Sequence, residues 1–212
     1  MKLIIGNQNY SSWSLRPWTL LKYFELNFQQ HKILLFTDKM KDEMSKYCPN
    51  NKVPVLIDKK VKIWDSLAIC EYINEQYLSN IAWPEDTVQK AHARSICAEM
   101  HAGFSSIRNE MPMNCRRTPS SIEISETCKH DIARIISIWE AHLQNSQSPF
   151  LFDRFSIADA FYLPIISRFI SYQIEVPNLS KRYMTYMSSL SLYKEWINGA
   201  KHEQEYISSA EL

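Results

Sequence analysis

The segment Tyr10-Ser11-Ser12-Trp13-Ser14-Leu15-Arg16 puts three serine hydroxyls between an apolar N-terminal run and a stretch with helical spacing. A hydroxyl in that place has two uses. It caps the helix by accepting a main-chain N–H, for which Ser14 is the best-spaced candidate, or it donates to an anion held at the helix's positive end. Asp65-Ser66 opens another helix, whose free N–H groups favour a carboxylate, although Asp65 also suits plain capping. Val53-Pro54 suits the entry to a strand. Arg116-Arg117 is either a solvated pair or a clamp for an acidic ligand. Ser156-Ile157-Ala158-Asp159 reads as a capping box, with Phe155 as its staple.

What is missing narrows the chemistry. Gly6, Gly103 and Gly199 are the three glycines and stand alone, so no glycine-rich nucleotide loop or nucleophile elbow can be written. The five cysteines (Cys48, Cys70, Cys97, Cys115, Cys128) are odd in number and widely spaced, which fits reduced thiols. The histidines (His31, His92, His101, His130, His142, His202) form no zinc motif, so no metal is expected. Twenty-four Lys and Arg against 23 Asp and Glu give a net charge of +1, without the basic excess of a nucleic-acid binder. Mean hydropathy is −0.32, no run reaches membrane-spanning length, and the N-terminus reads as a strand. A soluble, cytoplasmic protein with neither nucleic-acid nor membrane partners is expected.

These residues need elements to position them. The spacing predicts a strand at Lys2–Gly6, a helix at Ser14–Leu26 and a strand at His31–Phe36. A short helix at Lys39–Tyr47, a hairpin of Val53–Asp58 with Val61–Trp64, and a helix at Ser66–Tyr77 follow. This order describes a small α/β domain, because parallel strands need helical crossovers. Ser79–Asp86 reads as a linker, and everything after it as helix. Apolar stripes run from Ala93 through Ile107 and from Cys128 through Leu143, with Pro112 and Cys115–Ser121 breaking the pattern between them. The fold class is α/β plus all-α, divided as 1–80 and 86–212. The long Met-rich first helix of the second domain carries more apolar surface than a lone bundle covers, which predicts a homodimer.

A thioredoxin-like domain followed by an all-helical one resembles the cytosolic glutathione transferases, and the motifs fall in matching order. Residues 10–16 resemble the serine-type active-site segment, nearest the zeta class (maleylacetoacetate isomerases). Asn51-Lys52-Val53-Pro54-Val55-Leu56 resembles the cis-proline segment, with Asn51 in place of the usual glycine. Asp65-Ser66-Leu67-Ala68-Ile69 resembles the E-S-x-A-I segment, and Ser156–Asp159 the capping box of the sixth helix. Ala98–His101 through Pro112–Arg116 looks like a bacterial subgroup.

The resemblance implies glutathione as co-substrate. A serine hydroxyl would donate to its thiolate, worth about 1.5–3 kcal/mol, or about one to two units of a thiol pKa near 8.5. Ser11 aligns with the zeta serine and Ser12 with the theta one. Lys52, Val53, Pro54, Asp65 and Ser66 would hold glutathione, with Val53's main chain on the cysteinyl part. Ser66 would take the γ-glutamyl carboxylate and Asp65 the ammonium. His101, Phe104, Ile107, Asn114 and Arg116 would shape the pocket for a small electrophile. A serine at position 11 rules out thiol–disulfide exchange there. The implied activity is a transferase of the detoxification type. Its rivals are a zeta-like cis–trans isomerase, for which Arg116 and Arg117 would clamp a diacid, and a non-catalytic binding module.

Overall fold

The apolar run at the start of the chain forms β1 (Lys2–Ile5), in which Leu3, Ile4 and Ile5 are fully buried. A strand covered on both faces reads as a continuous apolar run rather than an alternating one. The computed structural model describes residues 1–144 and 146–211. β1 is central in a four-stranded sheet ordered β2-β1-β3-β4, with β2 at Gln29–Lys32, β3 at Val55–Asp58 and β4 at Val61–Trp64. It runs parallel to β2 and antiparallel to β3, so that Ile4 lies opposite both His31 and Val55. The crossover that a parallel pair requires is α1 (Ser12–Tyr23). Two more helices, α2 (Met40–Ser45) and α3 (Ser66–Tyr77), complete the thioredoxin-like part.

The second strand lies earlier than the expected His31–Phe36. It pairs through its main chain, and its side chains Gln29, Gln30 and Lys32 are exposed, so no apolar pattern marks it. The apolar residues just after it do something else. Ile33 is buried and donates its N–H to Ile5 O at 2.9 Å, while Phe36 is 78% exposed at φ 57°.

The remainder is helical: α4 (Thr87–Ala102), α5 (Ser105–Glu110), α6 (Glu126–Leu143), α7 (Ile157–Ser171), α8 (Asn178–Ser189) and α9 (Ser191–Lys201). The stripe expected from Ala93 to Ile107 is two helices, because the chain turns at Gly103 and Phe104. A Cβ on Gly103 would lie 2.9 Å from Glu99 O, and Phe104 takes a left-handed conformation at φ 59°. The capping box at the start of α7 forms as expected. Asp159 is fully buried and accepts from Ser156 N (2.8 Å), Ser156 Oγ (3.0 Å), Leu151 N (3.1 Å) and the Tyr183 hydroxyl (3.1 Å).

α7 is buried nearly all round and packs on both α1 and α4, so one apolar core runs from the sheet into the bundle. Trp18 of α1 meets Trp196 of α9 edge to face at 5.0 Å across that junction. Beyond α9 the chain returns to the sheet side. Among the described residues, no helix is long and apolar enough to cross a membrane.

Candidate functional site

The loop from β1 to α1 is set by its own main chain, since Asn7 O accepts from Tyr10 N (3.2 Å) and Ser11 N (2.8 Å). Ser11 is the N-cap of α1, its Oγ accepting Ser14 N at 3.4 Å. That is the position the sequence assigned to Ser14. The difference has a local cause: Ser14 Oγ is held by Gly6 N (3.1 Å) and by the Ser11 hydroxyl, which donates to it at 2.7 Å. Ser12, the next residue, is 6% exposed, and its Oγ accepts from Arg168 Nη2 at 3.4 Å. Among the described residues, nothing accepts the Ser12 hydroxyl hydrogen.

Asp65 caps α3 from a left-handed φ of 76°, its Oδ1 accepting Leu67 N (2.8 Å) and Ala68 N (3.3 Å). Its Oδ2 lies 3.0 Å from His101 Nε2. Ser66, 1% exposed, accepts at Oγ from Arg16 Nη1 at 3.3 Å. The Val53–Pro54 peptide is cis, and Asn51 before it has φ 54°, the left-handed conformation its side chain tolerates. Lys52 is exposed and donates its N–H to Asn50 Oδ1 at 3.0 Å. Among the described residues the Val53 amide has no acceptor, which leaves it for the main chain of an extended ligand.

Cations dominate this region. Arg16 is 1% exposed and lies between the rings of Trp13 (4.2 Å) and Phe161 (4.4 Å), with Nη2 donating to Met100 O at 3.4 Å. Arg108 stacks on Trp13 at 4.7 Å and also donates to Met100 O. Arg168 donates from Nε to Met111 O (2.8 Å) and from Nη1 to Pro164 O (3.2 Å). Burial, reinforced by the neighbouring Arg108, pulls the pKa of both Arg16 and Arg168 down to about 9, which leaves them charged at neutral pH. Burial also lowers the His101 pKa, with Arg16 and Arg108 adding to the effect and Asp65 opposing it. Among the described residues, none of the three arginines makes an ion pair with a carboxylate. An anion is the ligand such a cluster suits.

The residues expected to line the acceptor pocket are engaged in more than one place, with Asn114 and Arg116 together. His101 sits at the start of α3 against Asp65, its ring 5.1 Å from that of Trp13. Ile107 and Phe104 are core residues. Asn114 is 2% exposed and bridges Asn9 to the segment after α9, through Asn9 Nδ2 (3.0 Å), Ala210 O (3.2 Å) and Glu211 (2.7 Å). Arg116 is engaged in the same place, with Glu203 O, Glu205 O (2.7 Å) and the Tyr10 hydroxyl (2.8 Å). These contacts engage the guanidinium that was expected to clamp an acidic ligand. A groove of about 1070 Å³ between the end of α6 and α8 shares no residue with this constellation.

Sequence reasoning missed Arg108, Arg168 and Glu203, and gave Arg16 no part in the site. Arg168 carried one signal, a charge inside the largely apolar run Leu163–Ile170. Glu203 carried none. Its carboxylate accepts Gln8 N and Asn9 N at 2.9 Å each, from nearly two hundred residues away.

Residues 10–76 match the family model described as glutathione S-transferase, N-terminal domain. The chain is 29% identical over 98 residues to a probable maleylacetoacetate isomerase of Caenorhabditis elegans, a match covering 46% of this chain and 45% of that protein. The chain spans about half the length of the curated relatives it matches. Two solved structures superpose on nearly all of it. One is a glutathione transferase homolog from Burkholderia gl BGR1 with bound glutathione (TM-score 0.74, 18% identity, 95% of this chain and 98% of that one). The other is a bacterial maleyl pyruvate isomerase of the zeta class (TM-score 0.75, 19% identity, 97% of this chain and all of that one). At these identities the likeness is one of fold. Residues 10–76 thus resemble a glutathione S-transferase N-terminal domain, and the whole chain carries the fold of the glutathione transferases.

Proposed function

We propose that the protein is a glutathione-dependent transferase that joins the glutathione thiolate to a small electrophile. The observation that carries this reading is that Arg16 and Arg168, both buried and neither in an ion pair with a carboxylate among the described residues, donate to Ser66 and Ser12, with Arg108 beside them on Trp13. Glutathione brings two carboxylates and, when activated, a thiolate to such a place. Ser66, at the N-terminus of α3, receives the γ-glutamyl carboxylate. Asp65 receives the ammonium, the Val53 amide the cysteinyl main chain, and a serine hydroxyl of the 11–12 pair the thiolate. Lys52, exposed beside Val53, adds positive charge on that edge. The positive end of α1 supports the anion further. In this reading residues 1–80 and 86–212 act as glutathione and acceptor domains of a homodimer. The five free cysteines suit a detoxifying enzyme of the reducing cytoplasm.

A second reading keeps the same glutathione site and makes the reaction a cis–trans isomerisation of a diacid. Arg108 favours it, because this guanidinium stacks on Trp13 beyond the two that back Ser12 and Ser66. The test is thermal shift with glutathione, then turnover of a chloronitrobenzene and of a maleyl diacid by wild type and Arg108→Met. Faster turnover of the neutral halide, with Arg108→Met leaving the ratio of the two activities unchanged, supports the transferase. Efficient turnover of the diacid, with a steep rise in its KM in Arg108→Met, favours the isomerase. Absence of any shift at millimolar glutathione overturns both.

A further inference from the structure

A hydrogen bond has a direction, and a guanidinium is a donor only. The contact from Arg168 Nη2 to Ser12 Oγ at 3.4 Å therefore takes an oxygen lone pair and leaves the hydroxyl hydrogen available. Ser11 is in the opposite state. Its hydrogen goes to Ser14 Oγ at 2.7 Å and its oxygen takes Ser14 N at 3.4 Å, so both halves of the hydroxyl serve the cap of α1.

Arg168 is itself fixed. It is 4% exposed, with Nε on Met111 O and Nη1 on Pro164 O, and it makes no ion pair among the described residues. A cation that donates to a hydroxyl polarises the O–H bond and strengthens its donation to an anion on the other side.

We propose that Arg168 is a positioning residue that makes Ser12, rather than Ser11, the hydroxyl donor to the glutathione thiolate. The assignment rests on the glutathione reading above. Arg168 acts through Ser12 and does not itself reach the sulfur. Arg16 has the same relation to Ser66, which turns that hydroxyl toward a carboxylate. Two hydroxyls are thus each backed by a buried guanidinium, on the two helix starts where an anion is expected.

The experiment follows the ultraviolet absorbance of bound thiolate against pH, with glutathione binding measured by calorimetry in each variant. Ser12→Ala and Arg168→Met should each raise the pKa of the bound thiol by about one unit, a tenfold loss of thiolate at fixed pH below it. The double variant should be no worse than Ser12→Ala alone, because the two act in series. Ser11→Ala should lower the melting temperature through the lost cap and leave the thiol pKa in place. If Arg168→Met does not fold, Arg168→Lys in the wild-type and Ser12→Ala backgrounds gives the same comparison, with a smaller shift expected in the first and none added in the second. The inference is overturned if the effects of Ser12 and Arg168 add, or if Ser11→Ala raises the pKa while Ser12→Ala does not. Wild type that binds glutathione with a lowered thiol pKa untouched by either change overturns it while sparing the functional reading. Wild type that does not bind glutathione overturns both.

Discussion

Replacing Glu203 with alanine should destabilise the protein far more than its place beyond the last long helix suggests. Its carboxylate is 4% exposed and accepts the N–H groups of Gln8 and Asn9, each at 2.9 Å, in the loop that leads to Ser11 and Ser12. A hydrogen bond to a charged group contributes about 1.5–3 kcal/mol. The lower end applies, because the loop can relax toward water once the carboxylate is gone, and two such bonds come to about 3 kcal/mol. For a chain of this size each kcal/mol moves the melting temperature by about 2–4 °C, so the expected fall is about 6–12 °C. Glu203→Gln should lose about half as much, since one amide oxygen serves one N–H while its NH₂ opposes the other. Thermal melts followed by circular dichroism decide the matter. A fall under about 2 °C in Glu203→Ala, with an equally sharp transition, would mean that the two bonds to the loop contribute little.

Ser66→Ala should weaken glutathione binding at least tenfold in calorimetry, because a charged hydrogen bond of about 1.5–3 kcal/mol is lost, and an unchanged Kd would contradict the carboxylate assignment. Arg116→Ala should lower the melting temperature by releasing Glu203 O, Glu205 O and Tyr10, and leave the ratio of diacid to aryl halide turnover as it is; a selective rise in KM for the diacid would restore it to the pocket. His101 has its pKa depressed, so the fold favours the neutral ring. That contribution to stability is present above the ordinary histidine pKa of about 6.5 and is lost as pH falls through the lower folded value. Melts in buffers from pH 7 to 5 should therefore fall more steeply for wild type than for His101→Gln, and parallel slopes would count against the shift.

The parts legible in the sequence were those decided by neighbours along the chain. Asp65 before Ser66, the Pro54 that follows Val53, and Asn51 with its tolerance of positive φ each state their role within a few residues. The capping box at Ser156–Asp159 did the same. Other features depend on what arrives from elsewhere. β2 carries no apolar pattern because it is a sheet edge whose side chains make polar contacts, Gln30 with Trp18 and Lys32 with Glu203. The turn at Gly103–Phe104 leaves the apolar spacing intact on either side, so periodicity reads straight through it. The cap fell on Ser11 and not Ser14 because Gly6 N, eight residues earlier, occupies the Ser14 hydroxyl. Arg16 and Arg168 reach Ser66 and Ser12 across 50 and 156 residues, and Glu203 reaches the loop before α1 across more. Contacts at such separation have no local spelling.

Calorimetric titration of the wild type with glutathione at pH 7, repeated in buffers of different ionisation enthalpy, shows whether glutathione binds as its thiolate. It counts the protons released on binding. Free glutathione is almost entirely thiol at that pH, given a pKa of about 8.5. If a serine hydroxyl, the start of α1 and the surrounding arginines hold the thiolate, binding should release at least about a fifth of a proton per site, and release should shrink as the pH is raised above the free thiol's pKa. Binding with no proton release, or no heat of binding at all, would contradict the account.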